Sequence, residues 1–82
     1  MTEKEVQLLG FQKEEDYDGI KDFHYYTYDI VRGLSLISSD NQEAEKDGQW
    51  YVDMFNTEVP IRFYKFEEVQ ALINLLEKRV IK

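Results

Sequence analysis

Between Lys65 and Arg79 the apolar residues Phe66, Val69, Leu72, Ile73 and Leu76 recur at intervals of three and four, while Glu67, Gln70, Asn74, Glu77 and Lys78 lie mostly away from them. That spacing gathers the apolar side chains into one stripe of an α-helix, which has to be buried against another element. Glu67 and Glu68 in the first turn and Lys78 and Arg79 in the last complement the helix dipole. This is the clearest element of the chain, and the residues before it must supply the sheet on which it lies.

Strand-like runs precede it. Phe23 to Val31 is rich in Tyr, Thr, Ile and Val, and successive side chains of a strand alternate faces. Phe23, Tyr25, Thr27, Asp29 and Val31 therefore share one face, and His24, Tyr26, Tyr28 and Ile30 the other. Arg32-Gly33 suits a tight reversal into Leu34 to Ser39, where Leu34 and Leu36 alternate with Ser35, so a hairpin is expected. Trp50 to Phe55 reads as a further strand ended by Asn56 to Pro60, and Ile61-Arg62-Phe63 as a brief extended piece. Phe11 to Lys13 begins a short strand, and Glu14 to Gly19 reads as an acidic loop.

Two local helical signals complete the order. Thr2-Glu3-Lys4-Glu5 has capping-box spacing, and with Val6, Leu8 and Leu9 before Gly10 it predicts a short helix. Ser39 to Gly48, with Ser and Asp cap candidates and a terminal Gly, predicts a loop holding one or two helical turns. The expected architecture is α+β: a short N-terminal helix, an antiparallel meander of three or four strands, and a long C-terminal amphipathic helix packed on one sheet face. At 82 residues there is room for a single domain, residues 1–82.

Composition narrows the functional classes. There is no Cys, so disulfides, thiolate nucleophiles and zinc-thiolate sites are excluded and a reducing compartment is expected. The opening Met1-Thr2-Glu3-Lys4-Glu5 lacks the features of a signal peptide and no apolar run approaches a membrane span, so a cytoplasmic protein without membrane contact is expected. The formal net charge is -7, which argues against direct binding to DNA or RNA.

Leu8-Leu9-Gly10-Phe11, Asp47-Gly48-Gln49-Trp50-Tyr51-Val52 and Ile61-Arg62-Phe63 before a Leu-rich helix form a combination that resembles small uncharacterised proteins encoded by bacteriophages and prophages. The resemblance covers most of the chain and implies a phage or mobile-element setting and an α+β fold, without implying an activity. Relatives of this kind are expected to cap the last helix with Ser, Thr or Asp; here Tyr64 stands there, with the matching Glu67 retained.

No catalytic constellation stands out. His24 is the sole imidazole, and none of Ser35, Ser38 and Ser39, which in principle can meet His24 and Asp29, lies in a nucleophile elbow. The carboxylate clusters Glu14 to Asp22 and Asp40 to Asp47 fail the calcium-loop spacing, since aligning Gly19 or Gly48 with the loop glycine places Tyr25 or Met54 where the bidentate Glu belongs. No enzyme, cofactor or metal is expected.

Two surfaces remain. A single long helix covers one sheet face, yet rings occupy both, so the second face is expected to stay Tyr-rich unless the N-terminal helix or another subunit covers it. His24, Tyr26, Tyr28 and Tyr51 are the residues expected to bind a protein partner or a second copy there. In a meander the first and third connections share one end of the sheet, which gathers the acidic segments 14–22 and 40–48. Net charge over residues 1–22, 23–39, 40–58 and 59–82 runs -4, 0, -5 and +2. The alternative is therefore an acidic nucleic-acid mimic that captures a DNA-binding protein through residues such as Asp16, Asp18, Glu43 and Glu45.

Overall fold

A computed structural model describes residues 1–15, 22–55 and 57–81. The order is α1 (Glu3–Leu8), β1 (Gln12–Glu15), β2 (His24–Val31), β3 (Leu34–Ser38), α2 (Asn41–Asp47), β4 (Val52–Met54), β5 (Arg62–Phe63) and α3 (Phe66–Arg79). The strands form one antiparallel sheet in the order β1-β2-β3-β4-β5, so the fold is the expected α+β meander with five strands. Both edge strands are short. β5 is the brief extended piece at Ile61 to Phe63, and β1 runs on through Glu14 and Glu15, residues assigned to a loop from their charge. Backbone pairing with Tyr25 and His24 overrides that charge.

The caps explain where the short helices begin. Thr2 Oγ1 accepts from the Glu5 N–H and the Glu5 carboxylate accepts from the Thr2 N–H, a complete capping box. Asp40 and Glu43 repeat the arrangement at α2, which closes on Gly48 at φ 81°, a left-handed conformation that glycine adopts without strain. α3 starts differently from expectation: its N-cap is Lys65, not Tyr64, and no side chain caps it.

Between β2 and β3 the turn at Arg32-Gly33 is followed by a bulge. Val31 pairs with Leu34, but the register then shifts so that Asp29 faces Ser35 and Tyr28 faces Leu36. An unshifted two-residue hairpin would have set the Asp29 carboxylate against Leu36; the extra residue restores polar with polar and apolar with apolar.

Both α1 and α3 lie on the same side of the sheet. Val6 of α1 and Val69 and Ile73 of α3 join Phe11, Tyr26, Leu36 and Val52 in one buried cluster. Val6, Leu36, Val52 and Val69 are fully buried and Tyr26 is 1% exposed. Tyr28, Ile30, Trp50, Met54 and Phe63 pack around them. From β2, β3 and β4 the Tyr26 face supplies the core, Lys13 and Glu15 of the edge strand β1 stay exposed on it, and the Tyr25 face carries neither α1 nor α3.

Candidate interaction surface

The rings expected to remain free are the ones the helices cover. The Tyr26 hydroxyl donates to Glu3 at 2.8 Å and accepts from the Gln7 side-chain amide at 2.9 Å, both on α1. His24 Nε2 lies 2.7 Å from the same Glu3 oxygen, and the ring packs beside Trp50 with centroids 5.8 Å apart. Tyr28 donates to Glu77 of α3 at 2.6 Å and meets Phe11 at 5.4 Å between ring centroids. Tyr51, 6% exposed, is enclosed by Tyr64, by the Arg62 guanidinium 3.8 Å from its ring centre, and by Glu43, to which it donates at 2.8 Å. His24, Tyr26, Tyr28 and Tyr51 are therefore structural, and the expectation that they form an open binding face is corrected. The helix at Thr2 to Leu9 does cover His24 and Tyr26, and α3 ties down Tyr28, whereas Tyr51 lies on the Arg62 side and is closed by Glu43 of α2.

The electrostatics agree with a closed, satisfied network. Burial pushes the Glu3 carboxyl up, but hydrogen bonds from Tyr26 and His24 outweigh it and hold the group below its ordinary value. Burial and the Glu3 contact raise Tyr26; the bond to Glu77, then burial, raises Tyr28. Burial and the Glu43 carboxylate push Tyr51 up to about 12. No buried side-chain nitrogen or oxygen among the described residues lacks a partner.

The combination of His24, Asp29 and a serine considered above is not assembled. Asp29 and Ser35 hydrogen-bond to each other at 2.8 Å on the face opposite His24. Ser38 Oγ accepts from the Tyr26 N–H and donates to the Ser39 carbonyl, and Ser39 Oγ accepts from the Tyr51 N–H. These serines fasten the ends of β2, β3 and β4. Among the described residues no group of three His, Asp or Glu side chains is placed to hold a metal ion, and no helix is long and apolar enough to cross a membrane.

At the acidic pole, Asn41 at the start of α2 accepts from the His24 N–H at 2.9 Å and donates to the Asp22 carbonyl. The end of segment 14–22 and the start of segment 40–48 do meet. Glu43 is committed to the Asp40 cap and to Tyr51, whereas Glu45 is exposed beside a cleft of ≈ 500 Å³ that Glu3, Asp22, His24 and Trp50 also line. Asp16 and Asp18 lie outside the described residues.

The open face is the other one. It presents Glu14 of β1, Tyr25, Thr27 and Asp29 of β2, Ser35 and Ile37 of β3, Asp53 of β4 and Arg62 of β5. Tyr25, Thr27, Ile37 and Phe55 line a shallow groove of ≈ 230 Å³ with Asp29 and Ser35, and Phe55 is 56% exposed. Phe23 packs edge-on against Tyr25. Arg62 is held in a two-pronged pair with Asp53, at 2.8 and 3.1 Å, which raises its pKa further. Thr27, Ile37 and Phe55 were missed because both parities of β2 carry rings. One signal favours the correct choice: Asp29 belongs to the Tyr25 set, whereas His24, Tyr26, Tyr28 and Ile30 include no carboxylate.

No protein-family model, curated protein or solved structure matches the chain.

Proposed function

We propose that the protein is a non-catalytic interaction module of phage or prophage type, acting in the cytoplasm, which binds a protein partner through the helix-free sheet face. One observation carries this reading: the apolar sides of α1 and α3 are both spent on one face of the sheet, leaving Tyr25, Ile37 and Phe55 in an uncovered groove on the other. Aromatic residues on a rigid sheet supply contact area at small entropic cost, as binding surfaces require. Capture from a bacterial lysate on immobilised protein tests it. A partner held through high salt by the wild type and lost on Phe55→Ala supports the reading; equal capture by both proteins overturns it.

A second reading, an acidic mimic of nucleic acid, draws on the contact of Asn41 with Asp22 and His24, which joins the end of segment 14–22 to the start of segment 40–48. Capture of a basic DNA-binding protein that elutes at moderate salt and depends on Glu45 favours it.

A further inference from the structure

We propose that the partner element seated on the helix-free face is a basic amphipathic α-helix, a conclusion that rests on the interaction reading above and specifies its partner. The argument begins with hydrogen bonding. A sheet face, unlike a sheet edge, offers no backbone donors or acceptors, so whatever covers it must satisfy its own backbone. A helix does this within itself; an added strand does not.

Charge then selects the sequence of that helix. The face carries Glu14, Asp29, Asp53 and Arg62. Arg62 is already committed to Asp53, and among the described residues neither Glu14 nor Asp29 has a basic partner. Glu14 sits beside Tyr25 and Asp29 lies four residues further along β2, a separation of about 13 Å along the strand direction. Two carboxylates therefore bracket the apolar groove of Tyr25, Thr27, Ile37 and Phe55. On a helix, positions seven or eight residues apart lie on one face about 11–12 Å apart. Two Lys or Arg residues at that spacing, with apolar residues one turn inside each, match both the charges and the groove. A second copy of this chain is the wrong occupant, because it brings the same carboxylates and a net charge of -7 against itself.

The test titrates the isotopically labelled full chain with three peptides of about 18 residues: a Leu/Lys amphipathic helix, its scrambled counterpart, and a Leu/Glu helix of the same pattern, followed by amide chemical shifts. The expected result is saturable shifts at Tyr25–Asp29, Ser35–Ile37 and Asp53–Phe55 with the Leu/Lys helix alone. Phe55→Ala is expected to weaken that binding about tenfold. Glu14→Gln with Asp29→Asn is expected to weaken it several-fold at low salt and to flatten its salt dependence; these exposed or half-exposed sites leave the core intact.

Shifts concentrated at Asn41–Asp47, or equal binding of the scrambled peptide, overturn the proposal. So do concentration-dependent shifts of the same face without any peptide, which assign it to a second copy. Equal binding of the Leu/Glu helix at the face overturns the charge selection while leaving the interaction reading in place. A face that takes no peptide while partner capture still depends on Phe55 likewise overturns the helix and not the module; capture indifferent to Phe55 removes both.

Discussion

The Tyr26 hydroxyl donates to the Glu3 carboxylate at 2.8 Å, tying one of the most buried rings of the sheet to the helix that covers it. A residue that looks from the sequence like part of an exposed aromatic face is instead the point where α1 is fastened. Tyr26→Phe removes both hydrogen bonds of the hydroxyl, the one donated to Glu3 and the one accepted from Gln7, and is expected to cost about 1–3 kcal/mol. Tyr26→Ala also opens a cavity and is expected to cost about 3–5 kcal/mol, much of a small domain's stability. Urea denaturation of both variants measures this; an alanine variant as stable as wild type contradicts the burial.

Acid should loosen the same tie. Because Tyr26 and His24 hold the Glu3 carboxyl below its ordinary value of 4.5, the folded state favours the charged form. That contribution is complete above about pH 4.5 and is lost as the pH falls through the lower folded value. Thermal melts at pH 7 and pH 3 are expected to show a smaller acid-induced drop for Glu3→Gln than for wild type, after the variant's own loss at pH 7 is subtracted.

Alkali acts through Tyr51. Its phenol is raised from 10.0 to about 12 by burial and by the Glu43 carboxylate, so folding favours the neutral form. The contribution is complete below about pH 10 and disappears as the pH climbs through about 12. Ultraviolet titration of the tyrosines should show a late phase near pH 12 that Tyr51→Phe abolishes. A phase near pH 10 in its place contradicts the enclosure by Glu43, Tyr64 and Arg62.

One change should strengthen the fold. Lys65 occupies the N-cap of α3 with extended backbone angles and makes no capping hydrogen bond, and a cation there opposes the helix dipole. Lys65→Asp supplies an acceptor, with Glu68 three residues on to complete a capping box. The expected gain is about 1 kcal/mol, or about 4–8 °C in Tm for a domain of this size. Differential scanning calorimetry checks it.

The two sheet faces should respond differently to truncation. Leu36 is fully buried on the helix-covered face, and Leu36→Ala is expected to cost about 2–5 kcal/mol. Phe55, 56% exposed beside the open groove, should cost about 1 kcal/mol or less on change to Ala. Equal losses in chemical denaturation would place Phe55 in the core and remove it from the binding surface.

Local chemistry settled what the elements are. The intervals from Phe66 to Leu76, the Thr2/Glu5 and Asp40/Glu43 pairs, and Gly33 between two strand-like runs each act within a few residues, so they are readable along the chain. Meander topology also predicts that the chain entering β2 lies beside the start of α2, and the contacts of Asn41 with Asp22 and His24 are of that kind.

What sequence could not decide was which side of the sheet is inside. Residues 23 to 31 carry large rings on both parities, so the period of two says only that two faces exist. The choice belongs to contacts between residues far apart in the chain. The bulge that sets Tyr28 opposite Leu36, the Glu3 and Gln7 bonds to Tyr26, and the packing of Val6 beside Val69 and Ile73 all turn His24, Tyr26 and Tyr28 inward. Tyr25, Thr27 and Asp29 face outward as the consequence, because adjacent residues of a strand cannot share a face.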